Sequence, residues 1–225
     1  MAEKFSFSTQ ISSRVRLATE SDVPHLHKLM YQMAKYHNYT KVFNATEASI
    51  STNLFKSDNP CPPFYSVTTF ILEVSPNTFP QKNTKNSIFD PILKTINLES
   101  HILDPELELF RTNEDNNNVF IAGYVLFFPS YSGYFDKPGF FIENMYVREC
   151  YRKYGFGKML FSAVASQAVK MGFTKVDWLT VGWNDNAINF YLGMGAYIMG
   201  DVKRFRLSGE GLDAFATSDD ADKFR

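Results

Sequence analysis

A chain of 225 residues with a formal net charge of −1 has no basic excess to neutralise phosphates, which argues against nonspecific nucleic-acid binding. Its 44% hydrophobic content is spread over periodic segments, and no run approaches eighteen apolar residues, so a globular protein without a transmembrane helix is expected. Two cysteines, Cys61 and Cys150, supply no disulfide framework, and MAEKFSFSTQISS lacks the apolar stretch of a secretory signal, so the expected location is cytoplasmic.

Residues 1–12 read as a flexible N-terminal arm, and Ser13 to Leu17 as a first strand. Thr19, with Asp22 three positions on, approximates a capping box before a helix from about Asp22 to Tyr36, whose stripe is Val23, Leu26, Met30, Met33 and Ala34. His25, His27 and His37 have no matching Cys or carboxylate cluster, so no metal site is expected there. Thr46 opens a second helix to Phe55, and the apolar run Thr68 to Val74 is a strand. The next segment, about residues 75–118, carries Pro76, Pro80, Pro91, Pro105 and the polar run Asn113 to Asn118. It is too long for an ordinary connection and reads as an insertion with one short helical piece near Pro105 to Phe110. Val119 to Phe128 and Phe140 to Val147 form an antiparallel pair. A helix over Lys158 to Met171 follows, then a strand from Lys175 to Val181 and a helix from Asn184 to Met194. Tyr197 to Met199 and Lys203 to Leu207 are expected as terminal strands, with Glu210 to Phe215 as a last helical turn and 217–225 as a mobile tail. The order is that of one α/β domain over 13–216, with a mixed, mostly antiparallel central sheet flanked by helices and an insertion after the second strand.

The stretch from Phe140 to Gly172 carries the chemistry: a strand, a glycine-rich turn and a helix. That layout aims backbone N–H groups and the positive helix end at an anion. Glycines at 155 and 157 admit phosphates close to the backbone, N–H groups from Tyr154 through Phe156 to Lys158 can donate, and Arg152 and Lys153 add charge. The third glycine of a dinucleotide fingerprint and the G-K-[ST] of a Walker loop are missing. Arg152-x-x-Gly155-x-Gly157 followed by Trp183 to Ala196 (WNDNAINFYLGMGA) resembles the GNAT superfamily of acyl-CoA-dependent N-acyltransferases.

The resemblance implies a GNAT fold that takes acetyl-CoA or another acyl-CoA as cosubstrate and a small amine as acceptor, with no metal. It also implies main-chain contacts to the pantetheine arm from Met145, Tyr146 and Val147, and a contact from Asn184. N-acylation needs the amine deprotonated, and an alkylamine is only about one part in a thousand neutral at pH 7.4. Glu143, a lone carboxylate in an apolar strand, is the candidate base; Tyr191, in the NFY segment, is the candidate acid for the departing thiolate. Simple alternation sets Phe141, Glu143 and Met145 on one face and Ile142, Asn144 and Tyr146 on the other. Cys150 has no partner His nearby in sequence, so direct transfer is favoured over an acyl-cysteine.

Across about residues 14–215 the chain is similar to a plant branch of the superfamily. That branch holds ornithine, diamine and polyamine acetyltransferases and tyramine hydroxycinnamoyltransferases. Segments such as YHNYT, LEVSP and FFPSYSGYFDKPGFFIENMYV carry the likeness. Polyamine enzymes place an Asp after the catalytic Glu, whereas this chain has Asn144, which favours a small primary amine over a long polycation. Aromatics from Phe127 to Phe141 can line an acceptor pocket or simply fill the sheet core. Acetyl transfer to a small primary amine is the first expectation and hydroxycinnamoyl transfer to tyramine the alternative. A CoA-binding regulatory module is the non-enzyme alternative, and a homodimer is implied by the resemblance alone.

Overall fold

The structure is a computed structural model and describes residues 6–7, 9–56, 62–80, 88–112, 118–133, 136–213 and 215. Branched and aromatic runs build a six-stranded sheet from β2 (Gln10–Leu17), β3 (Thr68–Ser75), β4 (Ile92–Asn97), β6 (Phe120–Ser132), β7 (Lys137–Val147) and β8 (Lys175–Trp178). A separate two-stranded pair joins β1 (Ser6–Phe7) to β5 (Ile102–Leu103). The sheet order is β4-β2-β3-β6-β7-β8, antiparallel throughout except for the parallel β7–β8 pair. Helices α1 (Val23–Tyr36) and α2 (Glu47–Leu54) cover one face, and α3 (Phe156–Lys170) covers the other. The chain divides into two compact units, Met1–Leu179 and Thr180–Arg225.

Helices α1 and α2 begin at their capping signals. The Thr19 N–H donates to Asp22 Oδ2 at 2.8 Å ahead of α1. The Thr46 hydroxyl accepts from the Ser49 N–H at 3.1 Å at the start of α2. Burial alone would raise the Asp22 carboxyl, but two hydrogen bonds from the Arg16 guanidinium hold it below the ordinary carboxylate value.

Two hydrophobic cores lie back to back on the sheet. Phe140 and Ile142 of β7 face α3, and so do Met145 and Val147, whereas Tyr146 faces α1 and α2. Strict alternation cannot produce that set. The register slips between Leu126 and Phe127 of β6, which pair with Asn144 and Ile142, so Glu143 is an extra residue in β7. This β-bulge reverses the parity of every later side chain, and it corrects the assignment of Met145 and Ile142 to opposite faces.

The segment 75–118 extends the sheet. Its strand β4 pairs with β2 in the register Ser13↔Lys94, and its expected helical piece is one tight turn, Leu107–Phe110, with both ends buried. Within the stretch read as an arm, Phe7 is buried edge-on against Phe120 and Tyr151. In the second unit, α4 (Asp185–Leu192) and α5 (Glu210–Asp213) form, while Tyr197–Met199 and Lys203–Leu207 are not strands. A strand needs a neighbour for its backbone groups, and the described residues of this unit hold no other strand. The tail 217–225 lies outside the described residues.

One contact binds the inserted segment to the end of β7. The Arg148 guanidinium makes a bidentate pair with Asp104 at 2.6 and 2.5 Å, both side chains being nearly inaccessible. The Tyr151 hydroxyl donates to the same carboxylate at 2.7 Å, and the guanidinium lies 3.9 Å from the Phe110 ring centre. Asp104→Ala would leave a buried cation unpaired and should lower stability by about 3–5 kcal/mol. Urea denaturation checks this; a loss under about 1 kcal/mol would mean the pair does not anchor the segment.

Candidate active site

The turn after β7 departs from ordinary backbone geometry twice. Lys153 adopts φ 70° and Gly155 φ 83°, the left-handed region, which glycine enters without steric cost. Gly155 is the N-cap of α3, and no side chain caps that end. The first backbone bond of the helix runs from Met159 N to Gly155 O at 3.0 Å. The N–H groups of Phe156, Gly157 and Lys158 therefore have no acceptor within the helix. The α3 helix starts at Phe156, two residues earlier than its periodicity suggests, because the left-handed cap already completes the turn. Arg152 is held from behind: its Nε donates to the Val147 carbonyl at 3.0 Å, and its guanidinium lies 4.7 Å from the Tyr36 ring centre. Tyr36 carries no signal in its spacing that would reveal this contact.

Glu143 is exposed at the bulge. The β8 strand pairs with β7 only from Gly139 to Ile142, so from Glu143 to Val147 the described β7 has a strand neighbour, β6, on one side only. Peptide groups of Met145 and Tyr146 lie on this half-open stretch, as does Val147, whose carbonyl Arg152 already engages. Such an edge offers main-chain donors and acceptors to an extended ligand. A cavity of 590 Å³ opens beside the turn, lined among others by Lys35, Tyr36, Glu106, Tyr146 and Arg152.

In the second unit, the Asn184 side chain caps α4 by accepting from the Ala187 N–H at 3.3 Å. Tyr191 stands near the other end of the same helix, its ring edge-on to Phe190. Burial pushes the Tyr191 phenol up to about 12, with the Thr180 hydroxyl pulling in the opposite direction.

Residues 71–196 match the acetyltransferase (GNAT) family. The chain is 46% identical over 203 residues to an L-ornithine N5-acetyltransferase of Arabidopsis thaliana, covering 90% of this chain and 87% of that protein. It is 40% identical over 222 residues to tyramine N-feruloyltransferase 4/11 of Nicotiana tabacum, covering 97% of each. The chain belongs to the GNAT family. Solved structures share the fold at low identity. An integron cassette protein of V. cholerae superposes with TM-score 0.56 at 14% identity, covering 92% of this chain and 98% of the other. An aminoglycoside acetyltransferase from a soil metagenome does so with TM-score 0.55 at 15% identity, covering 88% and 97%.

This GNAT protein is therefore an acyl-CoA-dependent N-acyltransferase with a mixed, mostly antiparallel sheet. Its remaining candidate residues sort by environment. Burial, reinforced by the Asp104 carboxylate, raises the Cys150 thiol to about 12, which leaves almost no thiolate for attack at neutral pH. Phe127 and Phe140 are wholly buried core. Phe128 and Phe141 form a half-buried cross-strand pair with ring centres 5.5 Å apart, while Tyr134 and Phe135 lie outside the described residues. His25 and His27 bond through Nε2 to the carbonyls of Arg111 and Ala45, at 3.1 and 3.0 Å. Gly155→Asp adds strain and a negative charge at the cap, and should weaken CoA binding by at least about tenfold in a folded protein. Calorimetric affinity equal to wild type would remove the turn from the CoA site.

Proposed function

We propose that this enzyme transfers acetyl from acetyl-CoA directly to a small primary amine, the ornithine and diamine type before the aromatic type. Two relatives named for small-amine acylation support the reaction class at 46% and 40% identity. The observation that carries the site assignment is the bulge. It makes Glu143 the extra residue of β7 against β6 and exposes it at the level where β8 pairing stops. In this reading Glu143 takes the amine proton, directly or through water. The nitrogen attacks the thioester carbonyl, and Tyr191 donates to the departing sulfur. The N–H groups of residues 156–158, with Lys153 and the backbone of Tyr154, hold the diphosphate. The Met145–Val147 edge and Asn184 receive the pantetheine arm. Cys150 stays a thiol and takes no acyl group, which supports a direct rather than a ping-pong route.

Glu143→Gln should lower kcat/KM at pH 7 by about a hundred- to ten-thousand-fold with CoA affinity nearly intact. The deficit should shrink as pH rises, because the free amine becomes neutral by itself. Tyr191→Phe should lower kcat while sparing amine and CoA binding. At about 12, the phenol adds no descending limb to the profile below about pH 11. Wild-type kcat/KM in Glu143→Gln at pH 7 would make Glu143 a structural carboxylate.

The second reading is hydroxycinnamoyl transfer to tyramine. It is favoured by the half-buried Phe128–Phe141 pair, Phe141 standing two positions before Glu143. Product analysis with ornithine, putrescine and tyramine against acetyl-CoA and feruloyl-CoA separates the two readings.

The active species in this proposal is a homodimer. The resemblance implies that state, and Tyr197–Met199 and Lys203–Leu207, which read as strands, leave Tyr197 and Phe205 exposed at 83% and 89%, a surface that a second copy would cover. Light scattering at micromolar concentration should give twice the mass of 25.8 kDa; a monomer would contradict the assignment.

A further inference from the structure

A cation stands at the positive end of α3. Lys94 Nζ lies 3.5 Å from the point that a Cβ on Gly155 would occupy, beside the cap of the helix. It arrives from β4, in the segment read as an insertion, and is not one of the sequence-predicted site residues. Along β4, Ile92, Lys94 and Ile96 share one face by alternation, and the two isoleucines pack into the core that α3 covers. The lysine is therefore on the helix side of the sheet, between two core residues, with its ammonium exposed at the rim. Its strand is pinned: the Ser13 hydroxyl donates to the Lys94 carbonyl at 2.9 Å and lies 3.4 Å from Met159 Sδ of α3.

This placement is electrostatically unfavourable by itself. A helix N-terminus repels a cation. Arg152, Lys153 and Lys158 add to the local positive charge, and among the described residues no carboxylate forms a salt bridge with Lys94. An anion seated on the N–H groups of residues 156–158 would attract each of these cations and offset their mutual repulsion. We infer that Lys94 donates to the phosphate oxygens of acyl-CoA, closing the cradle from the sheet side opposite the Arg152–Tyr36 stack. The inference rests on the turn being the CoA site, as proposed above.

The test is isothermal titration of CoA and of 3′-dephospho-CoA into wild type, Lys94→Gln, Lys94→Arg and Gly155→Asp. The Lys94 head is exposed and its backbone pairing does not depend on the side chain, so the Lys94 variants should keep the wild-type circular dichroism and Tm. Lys94→Gln should raise the CoA Kd by about fivefold to thirtyfold at low salt, and by less at 0.5 M salt. Lys94→Arg should restore most of the affinity. An equal loss with both ligands places the contact on the diphosphate; a loss confined to CoA places it on the 3′-phosphate. Should Gly155→Asp weaken binding while Lys94→Gln matches wild type for both ligands, Lys94 is no phosphate ligand and the turn assignment stands. Should Gly155→Asp leave the affinity unchanged, the turn assignment and this inference fall together.

Discussion

The extra residue in β7 is the constraint on which the arrangement of the first unit depends. Without it, a strand eleven residues long would present one parity to α3 from end to end. Ile142 and Met145 could not then both enter the same core, and Tyr146 could not back the α1–α2 side. The bulge resolves this by taking Glu143 out of the ladder, at the same level where β7 loses β8. A bulged residue is free of the requirement to pair and can aim its side chain independently of the pleat. One local irregularity thereby sets the packing of both cores and exposes the one carboxylate of the strand.

The second dependence is longer in sequence. Arg148 closes β7, and its partner Asp104 comes from 44 residues earlier. Two charges removed from water gain little unless both are fully engaged, and here the carboxylate also accepts from Tyr151. The consequence is positional. The turn that carries Lys153 and Gly155 in left-handed geometry starts beside a guanidinium that cannot shift without breaking both of its hydrogen bonds to Asp104, a carboxylate that Tyr151 also holds. Strained backbone persists where the surroundings hold it.

Local signals made most of the fold legible. Capping residues Thr19, Thr46 and Asn184 mark helix starts because their chemistry acts within three residues. The apolar runs of β3 and β6 mark strands buried on both faces, the aromatic run of β7 marks a strand, and Gly155 and Gly157 mark the turn. What escaped reading depends on partners distant in the chain. Alternation along Phe140–Val147 cannot reveal a bulge, which is a property of register against β6. Polar, proline-rich sequence around residues 75–118 hid β4, because that strand gains its stability from pairing with β2. The segments Tyr197–Met199 and Lys203–Leu207 have strand propensity, but the described residues of their unit hold no strand to pair with, and propensity alone does not satisfy backbone groups. Of the residues proposed for the site, Glu143, Tyr191 and the glycine turn carry a motif in the sequence. Tyr36, at a helix end, and Lys94, in a polar strand, carry none.

The inserted segment therefore has a side of the molecule to which its contacts point. Asp104 fixes the residue before the turn, and Lys94 reaches the cap of α3. Both contacts lie towards the turn that opens α3, the end proposed for the CoA diphosphate, rather than towards Glu143. If amine choice were the segment's purpose, its polar side chains would be expected near the bulge. There the β6–β7 pairing instead brings up Phe128 and Phe141, which are not part of the segment. In the proposed arrangement, a segment that stiffens and charges the cosubstrate end acts on acyl-CoA without dictating the acceptor. Selectivity would then be set by the few side chains around Glu143, where a change of one aromatic alters the acceptor pocket and leaves the phosphate cradle untouched.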